Sequence, residues 1–285
     1  MQSKGIITNK TLNVQGLVLN LADPVVMGIL NVTSDSFYEG SRVATEKDWL
    51  KKAEEMLFNG AAILDVGAYS SRPGASDVSE EIEIERIRQV ISSLVKAFPK
   101  AVLSVDTFRS KVANVAVQEG ASIINDISGG SLDTNMFETV ARLRVPYILM
   151  HMRGTPQNMS TLTNYNNLVK ELISYFQEKI VQLTSLGVKD IIIDPGFGFA
   201  KNIEQNFHLL NHLEQIHVLD KPLLVGVSRK SMIYKTLGIS VENSLNGTTV
   251  LNTIALLKGA HILRVHDVKE AREAILLHKE IKHAG

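Results

Sequence analysis

From Val25 onward the chain repeats a single unit, a short run rich in Val, Ile and Leu followed by a longer stretch whose apolar residues recur every three or four positions. Eight runs fit this description: Val25 to Val32, Ala62 to Gly67, Ala101 to Thr107, Ser122 to Ile127, Pro146 to Met152, Asp190 to Pro195, Pro222 to Ser228 and His261 to Asp267. Continuous apolar runs of this length, without strict alternation, suit parallel strands buried on both faces. The segments between them read as amphipathic helices. Ile84, Ile87, Ile91, Leu94 and Phe98 share one helical face, and Glu80 and Glu81 fall in a first turn where the helix dipole favours negative charge. Asp267 and Glu270 are placed to form a capping box opening the last helix.

No Pro/Ser-rich linker separates two halves, so the pattern predicts an α/β fold, a single (β/α)8 TIM barrel over residues 25–285. A doubly wound open sheet is the structural alternative. Residues 1–24 are expected to form an N-terminal β-hairpin, with Gly5 to Leu21 as two short strands around Asn13 that plug the bottom of the barrel.

Composition narrows the function classes. Lys plus Arg is 30 and Asp plus Glu is 30, so no overall field favours nucleic acid or an anionic membrane, and any anion site must be local. The absence of cysteine excludes disulfides, thiolate nucleophiles, iron–sulfur clusters and cysteine zinc sites. The opening MQSKGIITNK has no apolar h-region, and the apolar runs are too short to span a bilayer, so a cytoplasmic protein is expected.

In a barrel of this kind the active site lies at the C-terminal ends of the strands. Nearly every run closes on polar residues: Asn31, Asp65, Asp106, Asn125 with Asp126, His151 with Arg153, Asp194, Ser228 with Arg229 and Lys230, and Arg264 with His266. Any one of them alone reads as a helix cap or a loop anchor. Eight strand ends together describe a mouth that faces a polar ligand, because unpaired buried polar groups cost about 1 to 3 kcal/mol each. Asp and Asn side chains match the edge of an amino-amide heterocycle, while Lys230, Arg264 and His266 supply donors for carbonyl and phosphate oxygens. One end of the ligand is therefore flat and the other anionic. The loops NVTSDSF (31–37) and YSSRPG (69–74), the glycine-flanked phenylalanines of DPGFGFAK (194–201), and SRKS (228–231) at a helix start add hydroxyls, a cation and aromatic faces. Pairing of His151 with His266 on a metal is disfavoured, since their strands lie across the barrel, and His208, His212 and His217 read as solvated.

The blocks GILNVTSDSF, SSRPG, SVDTF, INDISGG, LMHMRGTP, DPGFGFAKN, GVSRKS and RVHDV, in this order, make the chain resemble the dihydropteroate synthases of folate biosynthesis from Val25 to about His266. The resemblance implies a transferase that condenses (7,8-dihydropterin-6-yl)methyl diphosphate with 4-aminobenzoate, giving 7,8-dihydropteroate and pyrophosphate, with Mg²⁺ on the diphosphate. It implies a pterin pocket of Asp106, Asn125, Asp194 and Lys230, with Arg264 stacked on the ring. Asn31, Arg72, Arg264 and His266 would handle the diphosphate, Asn31 through the metal. Phe37, Ser71, Pro73, Phe199 and Ser231 would form the 4-aminobenzoate pocket, which is also where sulfonamides bind. Asp106, Lys230, Arg264 and His266 carry the catalytic assignment. The resemblance further suggests a homodimer formed through C-terminal helices.

The chain departs from the family pattern at Ala68 and Tyr69 after the second strand, at Ser34 in the first loop and at Ala200. Tyr69 stands where a Glu is usual, which puts in doubt any role of that Glu in orienting the second loop. Two other functions compete. One is a pterin-binding barrel of the methyltetrahydrofolate methyltransferase type, which has no use for diphosphate-binding loops. The other is a non-catalytic paralogue that only binds pterin.

Overall fold

A computed structural model of the chain describes residues 10–32, 42–69 and 78–284. Eight parallel strands form one sheet: β3 (Val25–Asn31), β4 (Ala61–Gly67), β5 (Val102–Asp106), β6 (Ile123–Asp126), β7 (Tyr147–Met150), β8 (Ile191–Asp194), β9 (Leu224–Val225) and β10 (Ile262–Val265). Neighbours in sequence are neighbours in space, and the first of these strands also pairs with the last, β10. An Ile193–Leu223 bridge then joins β8 to the entry of β9 and brings the sheet round on itself. A doubly wound sheet reverses its strand order part-way and keeps two free edges. The fold is therefore the (β/α)8 barrel.

The helices lie between the strands: α1 (Arg42–Phe58), α2 (Glu80–Ala97), α3 (Ser110–Gln118), α4 (Met136–Leu143), α5 (Leu168–Ser185), α6 (Ile203–Asn211), α7 (Ser231–Leu237), α8 (Leu245–Leu257) and α9 (Val268–His283). Helix α2 starts at Ser79, whose hydroxyl accepts from the Ile82 N–H, and it buries Ile87, Val90, Ile91 and Leu94. The expected capping box at α9 does not form. Asp267 makes no cap bond, because both of its carboxylate oxygens are taken by Arg229, at 2.9 Å from Nε and 2.5 Å from Nη2. A reciprocal box occurs instead at α6, between Asn202 and Gln205.

Strand geometry sorts the side chains into two layers, since successive residues point to opposite faces. One set (Leu64, Leu103, Ile124, Leu149, Ile193, Val225, Leu263) packs outward against the helices. The other (Met27, Ile63, Ile123, Ile148, Ile192, Leu224, Ile262) fills the inside of the barrel. Leu12, Val14 and Leu21 join this inner cluster from below, so the N-terminal hairpin of β1 (Thr11–Val14) and β2 (Leu17–Asn20) closes the barrel floor. Its turn lies at Gln15–Gly16, two residues later than expected. Both residues have positive φ, as a two-residue hairpin turn requires, while Asn13 remains in β1 and accepts the Gly16 N–H at 2.8 Å.

Candidate active site

The residue two positions beyond each inner apolar residue also faces inward, one layer nearer the C-terminal mouth. That position is Asp65 after Ile63, Asn125 after Ile123, Asp194 after Ile192 and Arg264 after Ile262, and the same count along β3 and β5 reaches Asn31 and Asp106. The polar ring is thus a consequence of strand register.

Arg264 is its hub. Its Nε donates to Asp65 Oδ2 at 2.7 Å and its Nη2 to Asp106 Oδ2 at 2.6 Å, and Asn125 Nδ2 donates to the same Asp65 oxygen at 3.0 Å. Burial works against the guanidinium charge, but Asp65 and Asp106 outweigh it and hold Arg264 fully protonated. Burial pushes Asp106 up to about 7 against the pull of Arg264, and Asp65 adds to the rise. Asp194 is likewise raised by burial and pulled back by Lys230.

Lys230 precedes α7 and donates to the Phe197 carbonyl, with its ammonium 4.9 Å from the Phe199 ring centre. Its aliphatic stem crosses Gly198, where a Cβ would stand 3.2 Å from Lys230 Cδ. Burial lowers Lys230 to about 8, with Asp194 opposing. At the rim, the Ser228 hydroxyl lies 3.0 Å from His266 Nδ1 and accepts the His266 backbone N–H at 3.2 Å. Burial and then Arg264 hold His266 down at about 4, so at neutral pH the ring is uncharged; the tautomer in which the Ser228 hydroxyl donates to Nδ1 carries its hydrogen on Nε2. Ser231 opens α7, and Phe199 is half-buried in the loop after β8.

Several of the strand-end residues serve the scaffold. Asp126 faces outward and accepts from Tyr147 Oη at 2.6 Å and from the amides of Ser128 and Gly130 at 2.7 and 2.8 Å. Arg153 pairs with Glu171 at 2.6 Å, and Arg229 with Asp267. His151 packs against Tyr175 and Phe176 behind the barrel wall. The structure brings together Asn31, Asp106, Asn125, Asp194, Lys230, Arg264 and His266 at one end of the barrel. Phe37, Ser71, Arg72 and Pro73 lie outside the described residues.

Two further groups support the site without having been assigned to it from sequence. Asp65 anchors Arg264 and Asn125, and its place at a strand end was the available signal. Lys201 is buried, with its ammonium 3.1 Å from His151 Nδ1 and 3.0 Å from the carbonyls of both Gly196 and Phe199. It pins the loop between Asp194 and Phe199, and nothing in a lysine after FA signals that burial.

The model of the pterin-binding enzyme family matches residues 27–266. The dihydropteroate synthase of Escherichia coli K12 is 42% identical over 263 residues, which cover 92% of this chain and 93% of that one. The chain belongs to the dihydropteroate synthase family of pterin-binding enzymes. Among solved structures, the Yersinia pestis dihydropteroate synthase in complex with a sulfonamide drug superposes with a TM-score of 0.90 at 39% identity, covering 96% of this chain and 99% of that one. The Xanthomonas albilineans dihydropteroate synthase with 4-aminobenzoic acid gives 0.88 at 36% identity, with the same coverage. Tyr69, one of the departures from the family pattern, is held by three neighbours: its ring meets Phe108 edge-on at 5.2 Å, Arg109 lies 5.4 Å from its centre, and its hydroxyl accepts from Gln157 at 3.2 Å.

Proposed function

We propose that the chain condenses (7,8-dihydropterin-6-yl)methyl diphosphate with 4-aminobenzoate, releasing pyrophosphate and 7,8-dihydropteroate. The observation that carries this reading is the inward ring in which Asp65 and Asp106 hold Arg264 beside Asn125, Asp194 and Lys230. Carboxylate, amide and ammonium groups in one layer match the donors and acceptors along an amino-amide pterin edge, and the guanidinium plane offers a stacking face. His266 Nε2–H at the rim donates to diphosphate oxygens, as Arg72 does in this assignment.

In the reaction the bond from the pterin methylene to the diphosphate oxygen breaks, and both electrons leave with pyrophosphate. Positive charge on the methylene spreads into the dihydropterin, and the Asp106 carboxylate stabilises it electrostatically. The neutral arylamine nitrogen then forms the new bond and releases one of its protons to solvent. Phe37, Ser71, Pro73, Phe199 and Ser231 hold the 4-aminobenzoate for that attack. No protein nucleophile takes part.

Magnesium suits this site as a metal carried mainly by substrate. Gly67 lets Asn31 Oδ1 and Asp106 Oδ2 face one space, 3.4 and 4.0 Å from where a Cβ at Gly67 would stand. These are the hard oxygen donors Mg²⁺ prefers, and among the described residues no cluster of three or more His, Cys, Asp or Glu side chains offers a competing cage. Asn31 would hold the ion, and when bound it would neutralise charge on the departing diphosphate.

We further propose a homodimer and a cytoplasmic location. Leu257 on α8 and Leu277 and Ile281 on α9 are 63%, 68% and 65% exposed, an apolar surface that supports association, and light scattering at twice the chain mass is the check. Among the described residues no helix is long and apolar enough to cross a membrane, and a diphosphate ester is an anion that does not cross one unaided. The functional reading is tested by inhibition kinetics. Sulfonamides should compete with 4-aminobenzoate and leave the pterin KM unchanged, whereas competition with the pterin would contradict the pocket assignment.

A further inference from the structure

A cavity of about 170 Å³ lies at the opposite end of the barrel from the polar ring. Its walls include Pro24, which precedes β3, and His261, which precedes β10, whereas Asn31 and Arg264 sit toward the other ends of those strands. Five basic side chains line it: Lys10 before β1, His217 in the turn after α6, His261, and His278 and Lys282 on α9. No described lining residue is acidic.

His278 is 94% buried as judged by its 6% exposure, and its Nδ1 has no hydrogen-bond partner. A buried imidazole nitrogen left unpaired is costly, and the ring that carries it forms part of the cavity wall. His261 Nδ1 accepts the Leu223 N–H at 3.3 Å, which puts the hydrogen of the neutral ring on Nε2. His217 Nε2 donates to the Lys258 carbonyl at 3.0 Å, and its ring meets that of His261 edge-on at 6.0 Å. The nearby carboxylate, Asp23, pairs with Lys279 at 2.5 Å, and Lys282 and His283 also act on it.

We propose that this cavity is a binding site for a small dianionic oxyanion, a phosphate or sulfate group that is free or carried on a small molecule, held by Lys10, His217, His261, His278 and Lys282. The ammonium groups of Lys10 and Lys282 and the Nε2–H of His261 supply the donors, and the rings of His217 and His278 complete a concave basic wall of a size suited to one such group; charge-assisted hydrogen bonds are the strong class. The protonation state of the cluster agrees. Burial, and then His217, Lys10 and Lys282, lower His261 to about 4, while His278 is lowered by burial and by Lys282. An anion among these groups reverses the second cause, so binding draws protons onto the imidazoles.

The test is histidine-ring NMR on the full chain, titrated with sodium sulfate against sodium chloride at matched ionic strength. Sulfate should shift the His261 and His278 resonances saturably, chloride should not, and the His261 pKa should rise from about 4. The double variant Lys10→Gln, Lys282→Gln changes two exposed side chains, so it should fold normally, keep its turnover and bind sulfate about tenfold or more weakly. Inorganic phosphate and glycerol 3-phosphate separate the two sources: tighter binding of the ester supports a phosphorylated small molecule, and tighter binding of the inorganic ion supports the free anion. Shifts that are absent, shared with chloride, confined to His266 or unchanged in the double variant would overturn the proposal.

Discussion

Arg264 does two things at once: it pairs with both Asp65 and Asp106, and it offers a guanidinium plane at the mouth of the barrel. Because Asp65 holds Nε independently, removing the charge at Asp106 should leave Arg264 in place. Asp106→Asn is therefore expected to fold normally and to lose kcat on the order of 10² to 10³, by analogy with losing one preorganised electrostatic group. A change confined to KM would mean that Asp106 only binds. Lys201 offers a test of scaffold electrostatics. Its pKa is about 7 in the folded protein because of burial, against 10.5 ordinarily, so between those values the unfolded chain holds a proton that the folded chain has released. Stability from this group therefore rises with pH from about 7 to about 10.5, by at most about 1.4 kcal/mol per pH unit. Denaturant unfolding of wild type and Lys201→Met across that range should show the wild type gaining on the variant as pH rises. Parallel curves would show that Lys201 is not buried as a titrating ammonium.

At the scale of elements, the barrel strands were legible because a strand buried on both faces has to be apolar along its length, and the first residues to break that rule mark its C-terminal end. Asp65, Asp106, Asn125, Asp194 and Arg264 could be found that way. Sequence did not separate inward from outward strand-end residues, which is why Asp126, a partner of Tyr147, stood beside Asn125 as an equal candidate. Register decides it, and register depends on pairing partners far away in the chain. The cap at α9 failed for a related reason: Arg229, 38 residues away, competes for Asp267. Ala200 shows an element tolerating strain. It holds φ 49°, a conformation that favours glycine, and is 1% exposed in the loop that Lys201 pins. Ala200→Gly relieves the left-handed backbone but gives up a buried methyl, so it should stay within about 1 kcal/mol of the parent. Ala200→Val adds a branched side chain to the same φ and should lose more than about 2 kcal/mol in denaturant unfolding. Equal stability of all three would show that the loop is not held at that φ.

On the scale of the molecule, the hairpin seals one end of the barrel with Leu12, Val14 and Leu21, and the polar ring opens the other. Substrate chemistry is thereby confined to one face, where water must be excluded from a cationic methylene until the arylamine arrives. Phe37, Ser71, Arg72 and Pro73 belong to the two loops assigned to that task and to the diphosphate, while Asn31 lies at the end of β3, where the first of those loops begins. One barrel mouth joins a pterin to an arylamine by loss of pyrophosphate. The most direct measurement is turnover of purified protein with (7,8-dihydropterin-6-yl)methyl diphosphate, 4-aminobenzoate and Mg²⁺, following both products by chromatography. Equal amounts of 7,8-dihydropteroate and pyrophosphate, formed only when both substrates are present, are the predicted result. Binding of the pterin with no dihydropteroate formed, or pyrophosphate released at the same rate without 4-aminobenzoate, would contradict it.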